Sequence, residues 1–219
     1  MTSTRMRPSV RTPSKGRTGA KTDSSHTPPG GDGDGRALRR ERNHQLIVEA
    51  CYALIRSGVI EPTADDVALR AGLGRRTVFR QFQDMEALNR SVNERVAREI
   101  APLAGPLVPT GGLETDLRML VERRTKLFEH IAPFRRAGAL TRHRSEFLRA
   151  QNAVFAAMQR ARVEAVVGPH IESGREHLLE AIDLLLSFEG WQRLREDQQL
   201  APERVVEVMW RAALKLAVP

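Results

Sequence analysis

The chain has 219 residues, a formal charge of +8 and a sequence pI near 10.8. It is long enough to bury one larger core or two modest ones, and no apolar run approaches the roughly 20 residues that a membrane-spanning helix needs. Cys51 is the only cysteine, which excludes an intrachain disulfide, and the arginines at the N-terminus are followed by no apolar stretch of the kind a secretory signal carries, so a cytoplasmic protein without a membrane partner is expected.

Most of the 35 cations are arginine, and their excess over acids falls almost entirely before residue 99. Guanidinium forks suit phosphates and guanine edges, so polyanion binding rises above its base rate. Residues 1–35 are Pro, Gly, Ser, Thr and charge with little to bury; they read as a disordered basic tail. From Arg36 the apolar residues Leu46, Ile47, Ala50, Leu54 and Ile55 recur at helical spacing until Gly58, predicting a first helix over about 36–57. Thr63 with Asp66 three residues on is a capping-box variant that opens a second helix running to Ala71. Gly72 suits a left-handed helix end, Leu73 plugs the turn, and Gly74 caps a third helix through Gln81 or Phe82. Asp84 caps a fourth, over about 85–99.

The segment APLAGPLVPTGG, residues 101–112, breaks the helical pattern and marks a domain boundary. Beyond it, amphipathic helices are expected at about 113–131 and 145–166, with Pro133, Gly138, Gly168-Pro169 and Gly174 as punctuation. Two last helices, at about 174–195 and 202–217, are apolar round more than one face. Leu185, Leu186, Trp191, Val206, Met209 and Trp210 exceed what one inner face buries, so a four-helix homodimer interface is expected there. The absence of any period-2 strand pattern makes the class all-α.

In the third helix Val78 and Phe82 stand four apart and face inward with Leu73, while Val67 and Ala71 supply the opposite wall. Ala68, Ala71 and Gly72 are small enough for two short helices to cross closely, the helix-turn-helix design. Arg75, Arg76, Phe79 and Arg80 are then left on or near the outer face, where the first turn of such a helix enters the major groove.

The stretch TADDVALRAGLGRRTVFRQFQDMEAL resembles the TetR family of one-component transcriptional regulators. Thr63, Val67, Ala68, Ala71, Gly72, Thr77, Val78, Phe82 and Leu88 stand where that family's pattern wants them. The match is specific over about residues 37–100 and architectural afterwards. The resemblance implies a helix-turn-helix DNA-binding domain over residues 36–100 and a helical effector-binding and dimerisation domain over 101–219. It implies a homodimeric repressor released from a palindromic operator on double-stranded DNA by a small molecule. Carried across by position, Arg75, Arg76, Thr77 and Arg80 become base or phosphate contacts and Thr63 a phosphate contact, while Gln81 stands at a position often His or Tyr. Three residues depart from the pattern: Phe79 replaces a tyrosine, Met85 a lysine and Gly74 a serine or threonine. Arg39, Arg40, Arg76 and Arg80 are candidates to replace the lost phosphate anchors.

Leu120, Phe128, Phe134, Leu148, Phe155 and Met158 form a candidate pocket for an apolar or aromatic effector, against the plainer reading of each as core. Cys51, beside the apolar face of the first helix, reads as a buried inert thiol. The histidines lack the i, i+3 or i+4 spacing of a metal pair, and no nucleotide loop or nucleophile elbow is present, so neither cofactor nor metal is expected and an enzyme is the least favoured reading. A second alternative is a helical interaction protein that has kept the fold and lost sequence-specific DNA binding.

Overall fold

The computed structural model describes residues 31–105 and 107–218. Most of the expected tail therefore lies outside the described residues, and its last five positions are helical. Every element among the described residues is helical, and no described helix is long and apolar enough to cross a membrane.

The first four helices are α1 (Gly31–Arg56), α2 (Ala64–Ala71), α3 (Arg75–Gln81) and α4 (Met85–Ala104). α1 begins earlier than its apolar pattern; once a helix is nucleated, further residues add at small cost, and Arg39 Nε donates to Gly35 O at 3.0 Å within the added turn. Ile47, Cys51 and Ile55 form its inner face. Burial alone pushes the Cys51 thiol up to about 12, which makes it the inert core residue its position suggests.

α2 starts on the expected capping box. The Thr63 hydroxyl accepts from Asp66 N at 3.2 Å, and Thr63 N donates back to the Asp66 carboxylate at 2.9 Å. Gly72 ends the helix at φ 66°, a conformation that costs a residue with a Cβ. Gly74 caps α3 with no side-chain bond. α4 is longer than expected and takes Pro102 into its last turn. Its terminal carbonyls find donors elsewhere: Arg123 reaches Leu103 O at 3.3 Å and Gly105 O at 3.1 Å, and Arg162 donates to Ala104 O.

α5 (Leu113–Thr141) is the central helix, packing against α1, α4 and three later elements. It runs straight through Pro133 and Gly138, which were expected as punctuation. An interior proline costs about 3 kcal/mol. Leu127, Phe128, Ile131 and Ala132, all buried around it, are worth more than that at about 1.5–3 kcal/mol for each large side chain. α6 (Glu146–Val167) starts on Ser145, whose hydroxyl accepts from Leu148 N at 3.1 Å and donates to Glu86 of α4 at 2.8 Å.

The helix expected over 174–195 is instead two, α7 (His177–Leu185) and α8 (Phe188–Gln192), followed by a π turn at Arg193–Asp197. Ser187 caps α8, accepting from Gly190 N at 3.1 Å. Gly190 sits so close to the preceding helix that a Cβ there would lie 2.5 Å from Leu185 O. α9 (Pro202–Ala217) matches expectation and packs against α5 and α7.

A polar knot joins α1, α4 and α5. Tyr52 donates to Glu99 at 2.5 Å, Arg95 bridges Glu99 and Glu49 at 2.6 Å each, and His130 Nε2 lies 3.1 Å from Glu99. The Tyr52 hydrogen bond, with Arg95 behind it, holds the Glu99 carboxyl below its ordinary range. The knot fixes how the first four helices sit on the rest.

Candidate nucleic-acid interface

α2 and α3 pack as their apolar spacing requires. Val67, Ala68, Val78 and Phe82 are buried, and the Phe82 ring rests on His44 of α1 with centroids 4.7 Å apart. That packing leaves Arg75, Arg76, Phe79 and Arg80 exposed and Thr77 half-buried. The outer face of α3 is therefore populated by the residues named from sequence, though they are not equivalent.

Arg76 and Arg80 stand four apart, on one side of the helix, and neither hydrogen-bonds or ion-pairs within the described residues. Arg75 is engaged. It makes a 3.0 Å ion pair with Asp65 of α2, and its guanidinium lies 5.5 Å from the Phe79 ring centroid. The Phe79 ring thus holds an arginine. Gln81 donates to Arg40 O at 3.0 Å and ties α3 to α1. The Thr63 hydroxyl donates its proton to Asp66 at 2.6 Å; in this arrangement it serves the cap, with no proton left for a phosphate. The hydrogen bonds from Thr63, side chain first and backbone second, lower the Asp66 carboxyl below its ordinary value.

Arg39 and Arg40 are both exposed on α1. Arg70, in the last turn of α2, was missed. It is exposed, and within the described residues it makes no hydrogen bond or ion pair. A signal was available, because the inward positions Val67 and Ala71 place residue 70 outside.

The candidate effector residues do not form one site. Phe134, Leu148 and Phe155 line a cavity of about 160 Å³ between α4, α5 and α6, with Asn93, Gln151, Asn152 and the cations Arg135 and Arg142 as polar groups. Phe128 is fully buried, with Phe188 edge-on at 5.5 Å and Trp191 at 5.9 Å. Leu120 is core, bordering a second, much smaller cavity. Met158 is 44% exposed and faces outward.

The expected dimer set divides in a similar way. Leu186, Trp191 and Met209 are fully buried within the single chain, so they are core residues and present nothing to a second copy. The break at Ser187 accounts for Leu186 and Trp191, since α8 turns inward there, while Met209 is buried on α9, which packs against α5 and α7. Leu185, Val206 and Trp210 are partly buried and retain outward surface.

No model of a known protein family matches the chain, and no curated protein matches it.

Proposed function

We propose that this protein is a DNA-binding transcriptional regulator of the kind the TetR resemblance implies. α2 and α3 form the helix-turn-helix, α3 is the reading element, and two copies bind a two-fold operator. The observation that carries this reading is the pair Arg76 and Arg80. They are uncompensated cations four apart on the exposed side of a short helix whose other side is locked by Val78, Phe82 and the capping box of α2. An ordinary solvated face has no need of an arginine pair held on so rigid a support.

A regulator needs a signal site, and the 160 Å³ cavity is the best candidate. About 160 Å³ is room for a single aromatic ring, and Arg135 and Arg142 stand beside the apolar side chains of the cavity wall. Its walls join α4, which packs on α1, to α5 and α6, so a ligand bound there bears on the placement of the reading head. It regulates only by binding one state better than the other. The dimer in this reading forms through Leu185, Val206 and Trp210, without Leu186, Trp191 and Met209.

The test is equilibrium binding to DNA flanking the protein's own gene and to random DNA, at several salt concentrations. The native chain should prefer the first. Arg76→Ala and Arg80→Ala should each cost about 1–3 kcal/mol on the preferred site and less on random DNA. Equal affinity of the native chain for both DNAs would leave the helical interaction protein as the better reading.

A further inference from the structure

The second, smaller cavity lies where the end of α4 meets α5 and α6, and its chemistry is unlike the first. Its polar lining comes from Arg123, Arg124, Arg162 and Gln159, and leucines complete the wall. Arg124 is 2% exposed and Gln159 6%. The Arg124 guanidinium donates only to neutral acceptors, Gln159 Oε1 at 3.1 Å, Gln159 O at 2.5 Å and Leu186 O at 2.9 Å. Arg162 donates to Gln159 Oε1 at 3.5 Å and to Ala104 O. Within the described residues neither arginine makes an ion pair; Asp183 acts on Arg124 only from beyond ion-pair distance.

Two guanidiniums on Gln159 Oε1 fix which way the amide points. Its buried Nε2 is left without an acceptor. The lining thus combines two guanidiniums bonded only to neutral acceptors with a buried amide donor, Gln159 Nε2, that has none. Burial pulls Arg124 down to about 10 against the longer-range attraction of Asp183, and burial also lowers Arg162, with repulsion from Arg123 adding to it. Buried charge in proteins is ordinarily paired at contact distance, and among the described residues no carboxylate lies that close to Arg124 or Arg162.

We propose that this cavity seats the carboxylate of a small apolar acid, held between Arg124, Arg162 and the free amide hydrogens of Gln159. A carboxylate accepts and never donates, which matches the lining. The leucine walls favour a hydrocarbon chain over a multiply hydrated ion such as phosphate. The present space of about 10 Å³ is that of one water-sized group, so the chain enters only as the wall yields. The yielding part is the end of α4. Arg123 and Arg162 hold the carbonyls of residues 103–105, and a carboxylate is a stronger acceptor for a guanidinium than a carbonyl is. The acid therefore draws Arg162 off Ala104 O at the end of α4 and loosens the helix that carries the reading head. That last consequence rests on the proposed regulatory function; the binding site itself does not.

The experiment is thermal unfolding and calorimetric titration of the full chain with straight-chain carboxylates from acetate to octanoate, with hexanamide, sodium chloride and sodium phosphate as controls at matched ionic strength. At least one carboxylate of intermediate length should raise Tm by several degrees at saturation, with no response to hexanamide. Arg162→Gln and Gln159→Leu, checked by circular dichroism to be folded, should bind that acid at least about tenfold more weakly, as loss of a charge-assisted or buried hydrogen bond requires. Three results overturn the site: no response to any carboxylate, an equal response to hexanamide, or a response reproduced by chloride or phosphate alone. The wild-type comparison of acid with amide decides the matter even if both variants fail to fold. A bound acid that leaves DNA affinity unchanged overturns the coupling through α4 and keeps the site; a protein with no DNA preference removes the regulatory reading and also keeps the site.

Discussion

Arginine does opposite things in two regions of this molecule. On α3, Arg76 and Arg80 are exposed and unpaired on a helix too short to stand by itself, so their charge is turned outward at almost no folding cost. Around α5, Arg124 and Arg135 are drawn inside. Arg124 is held by carbonyls, and Arg135 lies against Phe155 at 4.9 Å and Phe188 at 4.7 Å with Glu189 as its ion partner. Burial lowers the pKa of both inner arginines. The same residue type is a free reagent in one region and a structural tie in the other. A substitution in the first should change affinity without stability, and one in the second should do the reverse.

The largest effect expected is in the body. Phe128→Ala removes a fully buried ring from the cluster with Phe188 and Trp191 and should cost about 3–5 kcal/mol in denaturant unfolding. A loss below about 1 kcal/mol would mean that the cluster collapses onto the gap and is no rigid core. Gly190→Ala follows. Its Cβ would meet the backbone oxygen of Leu185 at 2.5 Å, and backbone gives way less readily than a side-chain tip, so a loss of about 1–3 kcal/mol is expected. Arg76→Ala and Arg80→Ala should by contrast leave stability within about 0.5 kcal/mol while weakening DNA binding. Lost stability there would put these arginines in the structural class and collapse the contrast between the two regions.

The acid side of the pH profile tests the head and the body together. Asp66 is held low by hydrogen bonds from Thr63, and Asp116 by hydrogen bonds from Thr110. A depressed folded pKa contributes stability that is present above the ordinary value of 3.8 and is lost as pH falls through the folded value. Tm should therefore drop below about pH 4, and Asp66→Asn and Asp116→Asn should each flatten that drop. Thr63→Ala removes the cap and should cost about 1 kcal/mol at neutral pH; retention of the full acid-side slope in that variant would show that Asp66 is not the group being read.

The head was legible because its signals are local. Thr63 to Asp66 spans one turn, Gly72 needs only its own φ, and Val78 and Phe82 need only helical spacing. The body was less legible because its decisive contacts are distant in sequence. Pro133 looked like a stop until Phe128 and Ile131 found partners on other helices. Leu186 and Trp191 looked like surplus apolar surface because the break at Ser187, which turns them inward, depends on Gly190 fitting against Leu185, and Met209 because its cover comes from helices distant in sequence. The arginines of the smaller cavity carried no signal at all. Arg124, Gln159 and Leu186 lie 35 and 62 residues from one another across the bonds they form, and an arginine in an amphipathic helix reads as solvated until its neighbours are known.

The smallest expected effect is the sharpest probe of the outer face. Asp65 holds Arg75 at 3.0 Å while both side chains remain well exposed, and exposed pairs of this kind contribute about 0–1 kcal/mol. Asp65→Asn should therefore leave stability nearly unchanged. On DNA it should act in the opposite sense to every arginine deletion, because it removes a like charge from near the phosphates and releases a guanidinium toward them. Affinity for operator and random DNA should rise together, and the slope of log K against log salt should steepen by about one phosphate contact's worth. If the released Arg75 instead sharpened the preference for operator over random DNA, it would be a base reader kept in check by Asp65, and the specific part of the interface would extend from Arg76 and Arg80 to the first residue of α3. An affinity that fell in Asp65→Asn would mean that the pair positions Arg75 for contact, and that the outer face needs this acid to work.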